Sequence, residues 1–100
     1  EGIRLPFEKK HEFNTYHTFI IHSKKRDKLK KYLLKNGIET AIHYPVPIHL
    51  QPAAKSLNYK LGDFPITEKQ SKEILTLPIN QYLNKKDILY VCKMINKFND

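Results

Sequence analysis

The stretch GIETAIHYPVPIHLQPA, residues 37–53, holds two of the chain's five histidines, a tyrosine and three prolines. His43, Tyr44 and His49 bear imidazole and phenol groups, hydrogen-bond donors that suit an anionic or hydroxyl-rich ligand. Pro45 and Pro47 have a fixed φ and no N–H, and the residues before them, Tyr44 and Val46, are pushed toward extended backbone. The pattern predicts a stiff arm that leaves a strand and presents His43, Tyr44 and His49 with their donors preorganised. A plain connector, with the tyrosine packed and the histidines in water, satisfies the same pattern.

Other chemistry is thinly represented. His17 and His22, five apart, should point to opposite faces of a strand, and His43 and His49 would be roughly 20 Å apart if fully extended. No cysteine or carboxylate cluster completes a tetrahedral set, so no metal site is expected. The glycines, Gly2, Gly37 and Gly62, are scattered and form no phosphate-binding loop. No serine sits in a nucleophile elbow. The chain as it stands is expected to supply neither catalytic nor cofactor-binding residues. Cys92, its single cysteine, rules out an internal disulfide and fits a reducing cytosol. It reads as buried packing rather than as a nucleophile.

Several elements must position the arm. YHTFIIHS, residues 16–23, is aromatic and β-branched and predicts a strand, after an irregular lead-in over residues 1–15. Ser23 is placed to cap a helix over Lys25–Asn36 whose apolar stripe is Leu29, Tyr32 and Leu33, and Gly37 stands at its C-cap. IETAIHY, residues 38–44, alternates Ile38, Thr40, Ile42 and Tyr44 against Glu39, Ala41 and His43, which predicts a second strand. Gln51–Leu57 predicts a short helical turn. LGDFP, residues 61–65, launches a helix with Pro65 in its first turn and a thin apolar face, chiefly Ile66 and Ile74. LTLPI, residues 75–79, predicts a third strand. Asn84 and Asp87 have the spacing of a capping box, and Ile88, Val91, Cys92, Ile95 and Phe98 then recur at helical period. The fold class is α/β of the α+β kind: a two-layer domain, a short three-stranded sheet with about three packed helices. The stripes Leu29/Leu33 and Ile88/Val91/Ile95 are expected to meet that sheet.

Composition narrows the partners. One hundred residues make one domain of modest core, and the run Phe19-Ile20-Ile21 is far too short to span a membrane. The formal net charge of +8 would attract phosphates, nucleic acid or anionic lipid. Sixteen of the eighteen basic residues are lysine, however, with only Arg4 and Arg26 offering the planar fork that reads bases and phosphates. With no arginine–aromatic interleaving and no nucleic-acid motif, nucleic acid is not an expected partner. No signal segment opens the chain, which points to the cytoplasm, and the absence of an initial methionine suggests a piece of something longer.

YHTFIIHSKKRDKLKKYLLKNGIETAIHYPVPIHLQPA and, further on, LNYKLGDFPITEKQSKEILTLPI resemble the C-terminal domain of the DegT/DnrJ/StrS-type sugar aminotransferases. The likeness spans residues 16–79 in order and spacing, and is specific in the run H-Y-P-x-P-x-H. The pattern departs from the family at Leu77-Pro78-Ile79-Asn80-Gln81, where relatives often carry L-P-M-Y-P, and at His22, where a basic residue is common. The resemblance implies that residues 16–100 are the small C-terminal domain of a pyridoxal-phosphate enzyme of the aspartate-aminotransferase fold, fold type I. Such enzymes transfer an amino group, usually from glutamate, to a keto sugar on a nucleotide diphosphate, in cell-surface or secondary-metabolite sugar biosynthesis. The resemblance places the Schiff-base lysine and most cofactor contacts in a large N-terminal domain, outside this chain. It makes His43 and Tyr44, and also His49, substrate-binding candidates, and it implies a homodimeric parent. This chain alone is then expected to be inactive and to self-associate through apolar surface its parent covers. The competing reading is a basic binding or regulatory module that recognises nucleic acid or another polyanion, since some relatives carry regulatory labels.

Overall fold

Phe19–Ser23 (β2) is the central strand of a three-stranded antiparallel sheet in the computed structural model, which describes residues 2–98. Its neighbours are Ile3–Arg4 (β1) and Ile74–Leu77 (β3), in the order β1-β2-β3. Arg26–Lys35 (α1) follows β2, two 3-10 turns cover Ile48–Leu50 and Pro52–Leu57, Pro65–Glu73 (α2) runs straight into β3, and Lys85–Lys97 (α3) closes the chain. The matching α+β class and three-stranded sheet are as expected; the identity of one strand is not.

The register sorts side chains onto two faces, because neighbours along a strand alternate and cross-strand partners share a side. Phe19 pairs with Leu77 and Ile21 with Leu75, while Ile3 pairs with Ser23. This face packs with Leu29 and Leu33 of α1, with Ile38 just beyond its cap, and with Met94 of α3 into the core, in which Ile21, Leu29, Leu33 and Leu75 are wholly buried. Each such side chain contributes about 1.5–3 kcal/mol over an exposed one. The other face carries Arg4 paired with His22, His22 with Ile74, and Ile20 with Thr76. That face is the floor of the functional region.

Helix ends follow their local chemistry. At α1, Gly37 takes φ 75°, its N–H donates to the Leu34 carbonyl and the Ile38 N–H to the Leu33 carbonyl. This is the double closure of a Schellman motif, and Ile38 and Leu33 meet in the core beneath it. At α3, the Asn84 side chain accepts from the Asp87 N–H and the Asp87 carboxylate accepts from the Asn84 N–H, the reciprocal box expected from their spacing. Arg26 donates to the carbonyls of Ser71 and Ile74, both at 3.1 Å, satisfying the end of α2 from the start of α1.

Five expectations are corrected. Residues 38–44 are not a strand: only Ala41 bridges to Thr76, because Ile38 is consumed by the helix cap and the proline at 45 lacks a donor to extend the ladder. The lead-in is not wholly irregular, since Ile3–Arg4 supplies the third strand. Ser23 is not the cap of α1; Lys25 holds that position, and the buried Ser23 hydroxyl accepts the Lys25 N–H instead. Ile66 is exposed and Ile74 belongs to β3, so α2 buries Glu68 and Ser71 rather than an apolar face. In α3 the stripe splits: Met94 is buried, Val91, Ile95 and Phe98 lean on the core, and Ile88 and Cys92 are exposed. Cys92 is therefore not core packing.

Candidate functional site

The face of the sheet opposite the core opens into a cleft of about 810 Å3, bounded by β1, β2, α2 and the turn at residues 43–44. Its chemistry comes from Arg4, His17, His22, His43, Tyr44 and Gln70. Among the described residues no aspartate, glutamate or lysine lines it. With one guanidinium, three imidazoles and a phenol, the cleft is a donor-rich, acid-free environment that favours an anion.

His43 reaches the cleft because Ala41 is held on β3 by two backbone hydrogen bonds to Thr76, of 3.1 and 2.8 Å. Two residues on, His43 Nδ1 lies 2.8 Å from Thr76 Oγ1, so the ring is pinned to the sheet. Tyr44 is 78% exposed, with its ring centroid 6.4 Å from that of His43. Its backbone departs from the extended geometry expected before proline: φ is +63°, in the left-handed region that a bulky residue adopts only under constraint. The turn that results aims the chain away from the sheet and leaves the phenol free at the cleft.

His49 goes elsewhere. It is 9% exposed, in the first 3-10 turn, and its Nε2–H donates to Glu68 Oε1 at 2.9 Å. The carboxylate has no proton to give at neutral pH, which fixes the donor. Glu68 also accepts the Gly62 N–H at 2.9 and 3.0 Å on its two oxygens and the Phe64 N–H at 3.2 Å. Burial alone would raise the Glu68 pKa; the Gly62 amide, the His49 hydrogen bond and charge, and the Phe64 amide outweigh it and hold the carboxyl below its ordinary value. Phe64 packs on His49 at 4.7 Å between centroids and meets Tyr59 edge-on at 5.1 Å. His49 thus fastens the LGDFP turn to the proline arm, and is not brought to the cleft with His43 and Tyr44.

Sequence reasoning missed Arg4, His22, Gln70 and Glu68. Arg4 and His22 carry a signal only once β1 is known to pair with β2. Glu68 has a fainter one, a carboxylate in the first turn of a helix that follows Gly-Asp-Phe-Pro.

A family model described as the DegT/DnrJ/EryC1/StrS aminotransferase family matches residues 1–96. The chain belongs to that family. Among curated relatives, a "pleiotropic regulatory protein" of Geobacillus stearothermophilus is 40% identical over 93% of this chain and 25% of its own length. A dTDP-3-amino-3,4,6-trideoxy-alpha-D-glucose transaminase of Streptomyces venezuelae is 33% identical over 97% of this chain and 26% of its own. In structure, S. venezuelae DesV, crystallised in complex with a ketimine intermediate, superimposes with a TM-score of 0.92 at 32% identity, covering 100% of this chain and 28% of that one. The chain therefore spans about a quarter of the length of the family members it matches.

Fold-type-I aminotransferases use pyridoxal phosphate, which needs a lysine to bind it covalently and donors for its phosphate. Among the described residues no lysine lines this cleft, so the covalent anchor is not found there, and the amides of Gly62 and Gly37 are committed to Glu68 and to the Leu34 carbonyl. Among the described residues no group of three or more His, Cys, Asp or Glu is placed to hold a metal ion, and no helix is long and apolar enough to cross a membrane.

Proposed function

We propose that this chain is the C-terminal, substrate-covering domain of a cytoplasmic, homodimeric, pyridoxal-phosphate-dependent aminotransferase that acts on a nucleotide-linked keto sugar, with glutamate as amino donor. The observation that carries the reading is the acid-free cleft in which His43 and Tyr44 stand together on the face of the sheet away from the core. Both carry hydrogen-bond donors, His43 fixed by Thr76 and Tyr44 by its turn, and a diphosphate bridging a nucleotide and a sugar presents acceptor oxygens to them. In this proposal His43 and Tyr44 bind and orient the nucleotide-sugar when the domain closes over the reaction centre, and His49 keeps the arm in place.

The cofactor, with its lysine, belongs in this reading to a large N-terminal domain, as does the chemistry it supplies: the transfer of the amino group through its aldehyde carbon. An apolar groove between the end of β3 and α3, lined by Phe19, Ile79, Ile88 and Cys92, supports the presence of such a covering domain. Mixed with pyridoxal phosphate and reduced with borohydride, the 100-residue chain is expected to retain cofactor at no single lysine. Stoichiometric labelling of one lysine with transaminase activity would overturn that part.

The decisive test uses the full-length enzyme. A phenol or imidazole hydrogen bond to a charged phosphate is worth about 1.5–3 kcal/mol, so Tyr44→Phe or His43→Ala should weaken nucleotide-sugar binding about tenfold to hundredfold at unchanged melting temperature. If both variants fold and bind as the parent does, the arm is only a connector. The regulatory alternative is favoured by one observation, the name of the 40% identical Geobacillus relative, a "pleiotropic regulatory protein". It requires sequence-selective duplex binding at physiological salt, whereas attraction by bulk charge fades steeply with salt and shows no sequence preference.

A further inference from the structure

Arg4 and His22 are direct cross-strand partners on the cleft face, with Arg4 Nη2 3.2 Å from His22 Nδ1. A guanidinium only donates, so Nδ1 must be the acceptor and the imidazole proton sits on Nε2. Among the described residues Arg4 is the one arginine or lysine lining the cleft, and no carboxylate pairs with it. A diphosphate carries several negative charges, and the always-charged arginine fork matches phosphate oxygens in pairs. We propose that Arg4 is the charged anchor of the cleft and His22 its support: His22 accepts one guanidinium N–H and fixes its plane, while the remaining N–H groups of Arg4 hold the diphosphate of the nucleotide-sugar.

Burial, first, and the charge of Arg4, second, hold the His22 pKa below its ordinary value against an opposing pull from Glu73 at the end of α2. The neutral, accepting form of His22 therefore prevails near neutral pH, as the geometry requires. β1 is two residues long, and this pair gives the strand a role beyond closing the sheet edge. Arg4 is the binding residue and His22 its positioning residue.

The inference rests on the reading of the cleft as the nucleotide-sugar site, and the test separates the two. Inorganic pyrophosphate, titrated calorimetrically into the full-length enzyme, probes the diphosphate contact without sugar or base. Arg4→Gln should weaken it about tenfold to hundredfold and Arg4→Lys less, because lysine keeps the charge and loses the fork. His22→Asn, whose Oδ1 can accept in place of Nδ1, should stay within about threefold of the parent, and His22→Leu should fall well below it. Lys28→Gln, which removes an exposed charge on α1 outside the cleft, should bind as the parent does. Pyrophosphate binding by Arg4→Gln equal to that of Lys28→Gln would overturn the anchor, and His22→Leu equal to His22→Asn would overturn the positioning role. If Arg4→Gln binds normally while His43→Ala and Tyr44→Phe bind weakly, only the anchor falls. If all three bind normally, the cleft does not hold phosphate and the functional reading falls with it.

Discussion

His43 and His49 sit six residues apart on one proline-stiffened stretch and end in opposite environments. His43 lies at an open cleft, pinned by one hydroxyl, beside an exposed tyrosine with a strained backbone. His49 is buried, its N–H spent on a carboxylate that also gathers two backbone amides, with an aromatic ring against its face. The same side chain therefore serves contact in one place and architecture in the other. What separates them is whether the surrounding backbone leaves polar groups that need a partner. Around His49 the turn Lys60–Phe64 has unpaired amides that draw in Glu68, and a buried carboxylate in turn needs a donor. Around His43 the backbone is already satisfied by the Ala41–Thr76 bridge, so the imidazole is left for a ligand.

The largest effect expected from this contrast is on stability. His49→Ala leaves Glu68 buried without its side-chain donor and a gap beside Phe64, a loss of about 2–4 kcal/mol. Urea unfolding of the full-length enzyme should register it, while pyrophosphate affinity of the folded fraction stays near the parent's. An affinity loss as large as that of His43→Ala, with no change in stability, would break the contrast and return His49 to the substrate site.

Acid should act on the same half. The Glu68 pKa is depressed in the fold, from a reference of 4.5. A depressed carboxyl contributes stability that is complete above its unfolded value and is lost as pH falls from there through the folded one. Stability of the parent should therefore decline below about pH 4.5 more steeply than that of Glu68→Gln, whose amide does not titrate there. Amide exchange at Gly62 and Phe64 localises the loss: both should quicken in acid well before the amides of α1 do. Parallel acid profiles for the parent and Glu68→Gln would show that the hub contributes no linked stability.

Much of this fold is legible in the residues because it is locally determined. The β-branched run of β2, the Gly37 closure of α1 and the Asn84/Asp87 box of α3 each fix their element within a few residues, and each stands where the sequence predicts it. The failures are long-range. Ile38, Thr40, Ile42 and Tyr44 alternate as a strand would, yet Ile38 is buried as the hydrophobic partner of a helix cap and Tyr44 is exposed in a left-handed turn. Ile3–Arg4 is too short to show any period, and becomes a strand only because β2 has a free edge. Of the site, His43 and Tyr44 are readable from type and spacing. Arg4 and His22 are not, since 18 residues separate them and only strand pairing brings them together.

The smallest effect belongs to the contact half and concerns the backbone of Tyr44. A non-glycine residue at φ +63° costs about 1–3 kcal/mol where the surroundings impose it, and the proline that follows makes such a turn rarer still. Replacing Tyr44 by alanine or by glycine removes the same phenol, and with its ring 78% exposed little packing goes with it. The two variants should thus lose nucleotide-sugar affinity alike. They should differ in stability, because alanine inherits the strained φ whereas glycine adopts it freely. Glycine also gains freedom in the unfolded chain, which offsets part of that relief, so Tyr44→Gly should exceed Tyr44→Ala by only about 0.5–1 kcal/mol. The usual order on a surface without such a turn is the reverse, alanine above glycine, so the sign alone decides. The matching pair at His49, whose residue has no positive φ, should show the usual order. If alanine is the more stable at position 44 as well, the left-handed turn is not what holds the phenol at the cleft, and the orientation of Tyr44 must then come from the ligand.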